Sequence, residues 1–189
     1  MKHFKNFKTC VYCTAQTLAS LDETTLARDY AYLEKYVGID KVYLETYRDG
    51  TWVSIDHMKM IQNFFKEHGV EIAGGITTVT PPLEKDDVTR QRLFQTFCYS
   101  NVAMRTYLKK IVTYTAELFD EIILDDFFFT SCTCDDCLRE RSNLSWAEFR
   151  SKKMIDVAEN LVLKPAKLAN PSVKVTIKYP NWRESYHET

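Results

Sequence analysis

Residues 121–137 read EIILDDFFFTSCTCDDC: an apolar run, two adjacent carboxylates, three aromatic rings, then Cys132, Cys134 and Cys137. A short apolar, β-branched run bounded by polar residues reads as a buried strand, and a strand covered on both faces shows no alternation. Ile122-Ile123-Leu124 fits such a strand in a parallel sheet. Its C-terminal end is where a parallel sheet opens to solvent, and there the acids begin.

The same order recurs outward from this stretch. A helical pattern ends, a Gly or Pro/Asn turn follows, and a β-branched run begins. The runs fall at about residues 8–14, 41–47, 71–78, 121–127 and 173–178. Gly38 and Gly69 stand where a helix ends in a left-handed residue. The helices between are amphipathic. Leu26, Tyr30, Leu33 and Val37 share one face after the candidate N-cap Asp22. Ile55, Met58, Ile61 and Phe65 do so after Ser54. A third helix is predicted over 102–118, opened by Ser100 or Asn101, and a fourth from the capping-box pattern Ser145-Trp-Ala-Glu148 to about residue 162. Strands alternating with helices make βαβ units and a parallel sheet.

A doubly wound nucleotide binder needs a Gly-rich turn after its first strand. Here that strand runs into Thr14-Ala-Gln-Thr-Leu-Ala-Ser20, and Gly74-Gly75 lies inside a strand. The expected fold is therefore an α/β parallel (β/α) barrel of TIM type, as a single domain over residues 1–189. A complete barrel has eight units and roughly 250 residues. About five units are legible, so the chain reads as an incomplete barrel, the N-terminal portion of a longer catalytic domain. Open sheet edges would favour self-association.

Net charge is −1 with no basic block, which gives no electrostatic footprint for nucleic acid. No apolar run approaches ~20 residues, so no membrane helix is predicted. The basic start MKHFKNFKTCVYC lacks the apolar stretch of a signal peptide; with free cysteines, this favours a cytoplasmic location.

Chemistry in a barrel sits at the C-terminal strand ends. Those ends carry Tyr12 and Cys13; Glu45, Tyr47 and Arg48; Thr77 and Thr78; Asp125 and Asp126; and Lys178 and Tyr179, with Trp182 just beyond. Carboxylates, aromatic faces and a few cations at one rim suit a carbohydrate. Asp125, Asp126 and Glu45 are the candidate catalytic carboxylates. Tyr12, Tyr47, Arg48, Lys178, Tyr179 and Trp182 are candidate substrate contacts. Side chains alternate along a strand, so only one of the Asp pair is expected inside, and Asp125 is in register with Ile123. The blander reading is that one Asp caps the loop and the other is solvated. None of the four histidines sits at a strand end, and no HxH follows the first strand, which argues against a histidine-metal hydrolase.

Cys132-Thr-Cys134-Asp-Asp-Cys137 places three thiols within six residues, and Cys98 precedes the third helix in the neighbouring loop. Four thiolates from adjacent loops can enclose a tetrahedral ion, and a structural zinc is the expected occupant. Arg105, Arg139 and Arg141 are near enough in sequence to offset the charge. The alternative is four reduced, unligated cysteines. Cys10 and Cys13 fall inside a strand and read as core thiols, not as a redox pair.

Two features together resemble the barrel glycoside hydrolases. Phe119-Asp-Glu-Ile-Ile-Leu-Asp-Asp-Phe127 resembles their fourth-strand segment, which in several clans ends in a catalytic carboxylate. Cys98 with Cys132, Cys134 and Cys137 is similar to the zinc cluster of family 42 β-galactosidases, and Trp146-Ala-Glu-Phe-Arg150 resembles the segment that follows it. That family carries Asn-Glu where this chain has Asp125-Asp126. The resemblance thus implies a glycoside hydrolase of unspecified family, with carboxylates at strand ends and a zinc clip. A non-catalytic carbohydrate-binding barrel, an iron–sulfur enzyme, or a structural protein whose acids bind loop amides are the alternatives.

Overall fold

The computed structural model describes residues 4–81, 84 and 86–179. Its six strands are β1 (Cys10–Cys13), β2 (Lys41–Arg48), β3 (Thr51–Trp52), β4 (Glu71–Thr77), β5 (Glu121–Asp125) and β6 (Lys174–Ile177). Helices α1 (Ala15–Ser20) and α2 (Glu23–Tyr36) join β1 to β2, and α3 (Ile55–Glu67) precedes β4. Between β4 and β5 lie α4 (Asp87–Gln91) and α5 (Val102–Leu118). After β5 come α6 (Asp135–Arg141), α7 (Trp146–Val157) and α8 (Lys164–Ala169).

Five strands pair in the order β1-β2-β4-β5-β6, all parallel, and β3 folds back on β2 as a short antiparallel hairpin. Neighbours in the sheet are neighbours in sequence once β3 is set aside, which is the winding of a TIM-type arc. The five predicted strands are all present; the hairpin strand was not foreseen.

Local signals explain the elements. Asp22 caps α2 in a reciprocal capping box with Thr25, Ser54 caps α3, Asn101 caps α5, and Ser145 and Glu148 form the box that opens α7. Each such cap stabilises its helix by ~1 kcal/mol. Gly38 and Gly69 take φ of 73° and 72°, as their predicted role requires. The last helix is continuous from 146 to 169 but widens into a π segment over Ala158–Leu163. Pro165 lies just beyond; it has no N–H to donate, and the wider turn absorbs the broken ladder.

The core lies between the sheet and the helices. Leu44, Ile76, Ile122 and Leu124 point outward into it against Leu108, Ile111, Leu161 and Val162. Gly74 and Gly75 let the sheet be approached closely from both sides. A Cβ on Gly74 would lie 2.6 Å from Thr115 Cγ2 of α5, and one on Gly75 would lie 2.7 Å from the Tyr12 hydroxyl on the inner side. The inner face is more open: Ile123 is only half-buried, and Thr176 is exposed. The expectation that β5 is covered on both faces therefore holds on one face only, because the helices cover one side of the arc. Cys13 packs against the core as expected, but Cys10 is exposed.

Candidate functional site

Strand register builds the rim. Tyr47, Ile76, Leu124 and Ile177 form one row across β2, β4, β5 and β6, and this row faces the helices. The next residues, Arg48, Thr77, Asp125 and Lys178, form the row that faces inward at the C-terminal end. A register shift between Glu45 and Tyr47 sets this phase. It places Tyr47 in the core, fully buried, with its ring packed on Trp52, Phe97 and Tyr107. Tyr47 was expected at the rim as a substrate contact; the bulge instead turns it toward the helices.

Glu45 is fully buried at the centre of this end. Its Oε1 accepts from the Tyr12 hydroxyl at 2.8 Å, from Thr77 Oγ1 at 2.6 Å and from Arg48 Nε at 3.0 Å. Its Oε2 accepts from the Ala15 amide at 2.7 Å and from Arg48 Nε at 2.8 Å. A carboxylate offers about four lone-pair sites, and all are in use. Arg48 also donates to Thr77 Oγ1 at 2.9 Å and comes within 3.6 Å of Asp125 Oδ2. Burial opposes the Arg48 charge, but Glu45 outweighs it and the guanidinium is held above its usual value. Burial, then the Glu45 charge, pushes the Tyr12 phenol well above its ordinary range, so it stays a donor.

Asp125 and Asp126 both reach the same cation. Lys178 Nζ lies 2.8 Å from Asp125 Oδ1 and 2.9 Å from Asp126 Oδ1. The expectation that only one of the pair points inward rested on strand alternation. The strand ends at Asp125, and Asp126 takes φ of 48°, a left-handed turn that swings its side chain back to the rim. Phe128 is left-handed too, at φ 73°, and its ring meets Tyr179 edge-on at 5.6 Å. Hydrogen bonds to Asp125 and then Asp126 raise the Lys178 ammonium above its usual value. Lys178 and Tyr179 are both more than half exposed at this edge. Trp182 lies outside the described residues. A groove of about 870 Å³ lies elsewhere, on the flank between α2 and α3, lined by Tyr30, Glu34, Phe64 and His68.

Beside the rim, Cys98, Cys132, Cys134 and Cys137 converge with all four sulfurs within 4.8 Å of one another. Cys98 Sγ is 3.6 Å from Cys134 Sγ and 3.7 Å from Cys137 Sγ. Sulfurs at 2.3 Å from a tetrahedral ion lie about 3.8 Å apart, so this group can hold a metal ion. Cys134 is the N-cap of α6 and Cys137 sits in its first turn, so the CxCxxC stretch is half loop and half helix. Hydrogen bonds with Cys137 and then Cys98 hold the Cys132 thiol far below its usual range, and hydrogen bonds with Cys132 and then Cys98 push Cys137 far above it. The three arginines expected to offset the charge go elsewhere: Arg105 to Asp156 and the Tyr99 carbonyl, Arg139 to Asp136, and Arg141 to the Leu144 carbonyl. Among the described residues, a cation that does reach the sulfurs is Arg92, with Nη1 at 3.7 Å from Cys132 Sγ. Nothing in its spacing from the cysteines marked it in advance.

A protein of Saccharolobus solfataricus, named uncharacterized protein SSO3021, is 32% identical to this chain over 207 residues. The match covers 97% of the chain and 34% of that protein, so the chain spans about a third of the length of the curated relative it matches. The family described as "Probable glycosyl hydrolase, catalytic domain" matches residues 1–189. A parallel arc with acids at its C-terminal rim is consistent with that match, and the chain belongs to this glycosyl hydrolase family.

Proposed function

We propose that the rim is the catalytic end of a glycoside hydrolase, with Asp125 as the carboxylate facing the anomeric carbon. The observation that carries this is the rim row itself: Asp125 stands between Arg48 and Lys178 at the C-terminal end of β5. Glycoside hydrolysis needs two carboxyl groups flanking the scissile bond, one giving a proton and one acting as nucleophile or base. Asp125 lies at the C-terminal end of its strand with Arg48 and Lys178 beside it, which suits it to act as the nucleophile or the stabiliser of the oxocarbenium-like transition state.

Asp126, tied to the same ammonium, is placed to take a sugar hydroxyl, and Tyr179 with Phe128 offers aromatic faces for a ring. Glu45 acts as scaffold in this reading. Its oxygens are occupied, and its work is to hold Tyr12, Thr77 and Arg48 in position. The proton donor is then a carboxyl group other than Asp125 and Glu45. The cysteine centre is a structural zinc clip joining the loops after β4 and β5. When bound, the ion would fix those two loops beside the rim; four sulfur ligands leave it no open position for chemistry.

The test is hydrolysis of a panel of aryl glycosides by the protein and its Asp125→Asn variant. Turnover by the wild type, lost by at least ~10³-fold in the variant, is expected for a nucleophile. Full turnover after the substitution would remove Asp125 from the reaction, and sugar binding without turnover would favour the binding-barrel alternative. Elemental analysis of protein purified without added metal is expected to give about one zinc per chain, lost in Cys98→Ser. Iron and a brown colour would favour the iron–sulfur alternative.

A further inference from the structure

Arg92 is a charged side chain left in the interior. It is 5% exposed, in the loop between α4 and α5. Its guanidinium donates in four directions: Nε to the Thr96 carbonyl at 2.6 Å, Nη2 to Thr89 Oγ1 at 2.9 Å and Thr80 Oγ1 at 3.4 Å, and Nη1 to Cys132 Sγ at 3.7 Å. Three of the four acceptors are neutral oxygens. Among the described residues no carboxylate forms an ion pair with it; the exposed Asp86 acts on it only from farther away. A buried guanidinium without a counter-charge is strongly disfavoured. Asp86 is exposed and not in contact; the group in contact that can supply one is the cysteine centre. Four thiolates around a divalent ion keep two negative charges in excess, and Arg92 meets that excess at Cys132.

We infer that Arg92 is the positioning residue of the metal centre: it fixes the Cys132 sulfur by hydrogen bond and charge, and it ties the occupied centre to the loop after β4. The inference rests on the metal reading above. The same fork that reaches Cys132 holds Thr80, Thr89 and Thr96, so these three points of the loop are strapped to the sulfurs through one side chain. That loop leads directly from β4, whose last residue Thr77 holds Glu45 and Arg48 at the rim. Outer contacts of this kind orient a ligand atom and tune the metal.

The experiment is titration of the purified chain with cobalt(II), followed by zinc competition against a chromogenic chelator. It compares the wild type with Arg92→Met, Arg92→Lys and Thr89→Val. The wild type is expected to take up one ion with a sulfur-to-cobalt charge-transfer band. Arg92→Met should weaken zinc binding ~10- to 100-fold and move the band to longer wavelength, because the sulfur loses a donor. Arg92→Lys should recover part of the affinity, since it keeps the charge but cannot span four acceptors. Thr89→Val, which loosens the guanidinium without touching a ligand, should fall between. Wild-type affinity with an unmoved band in Arg92→Met overturns the role of Arg92 and leaves the metal centre standing. If Arg92→Met does not fold, the same result in Thr89→Val overturns it. A wild type that binds neither ion overturns the metal centre, and this inference with it.

Discussion

Glu45→Gln keeps the shape of the side chain and changes one oxygen into an amino group. The least costly orientation puts the nitrogen on the Tyr12 and Thr77 side, where two hydroxyls can turn and accept. The remaining oxygen then receives the Ala15 amide and Arg48. Even so, both hydroxyl protons lose a buried acceptor, and the other two donors exchange a charged acceptor for a neutral one. Hydrogen bonds to charged groups are worth ~1.5–3 kcal/mol against ~0.5–1.5 for neutral ones, so Ala15 and Arg48 lose roughly 1 kcal/mol each, and each hydroxyl, which trades its bond to the charge for a neutral bond it accepts, loses roughly as much. The expected destabilisation is about 4 kcal/mol, a large share of the ~5–15 kcal/mol that holds a domain together. Urea denaturation reads it as a lower midpoint with an unchanged slope. A Glu45→Gln variant within ~1 kcal/mol of the wild type that had also lost turnover would refute the scaffold reasoning. It would return Glu45 to the reaction.

Three further outcomes are expected. Gly74→Ala should destabilise by ~1–3 kcal/mol, because its Cβ would stand 2.6 Å from Thr115 and 2.7 Å from the Phe119 ring; an unchanged denaturation midpoint would mean that α5 does not press on β4 there. Asp126→Val should be less stable than Asp126→Gly by ~1–3 kcal/mol, since a β-branched residue resists a φ of 48° that glycine adopts freely. Equal midpoints would mean that the turn after β5 is not left-handed. The Lys178 ammonium is raised above its ordinary value of 10.5 by the two aspartates, so its stabilisation is complete below pH 10.5 and fades as pH climbs through the raised value. The melting temperature of wild type minus Lys178→Gln should therefore be positive at pH 9 and vanish at strongly alkaline pH; a gap that widened there would reverse the argument.

Most of the arc was legible because its signals are local. β-branched runs after Gly38, after Gly69 and after Asn170-Pro171 mark strands, and the four capping residues mark helix starts at their own positions. What escaped depends on one extra residue or on distance. The bulge before Tyr47 shifts the phase of β2 by one and sends an aromatic ring into the core, and no composition rule announces a bulge. The turn at Asp126 brings a second carboxylate to Lys178, a lysine 52 positions away in the sequence. Arg92 meets Cys132 across 40 positions, so its role exists only in the folded chain. The four cysteines were readable because three of them are packed into one short stretch.

That packing bears on how the chain would fold. Cys98 and Cys137 stand 39 positions apart, and the segment between them holds α5 and β5. Three of the thiols already lie close together in the unfolded chain, so an ion captured there needs one further encounter, with Cys98, to close the loop. The entropy of that closure grows only slowly with loop length. Once it is closed, α5 and β5 search for each other within a short tether instead of across the whole chain. Metal present at the start of refolding would thus turn the middle of the sequence into an early nucleus, from which β4 and β6 could add on either side.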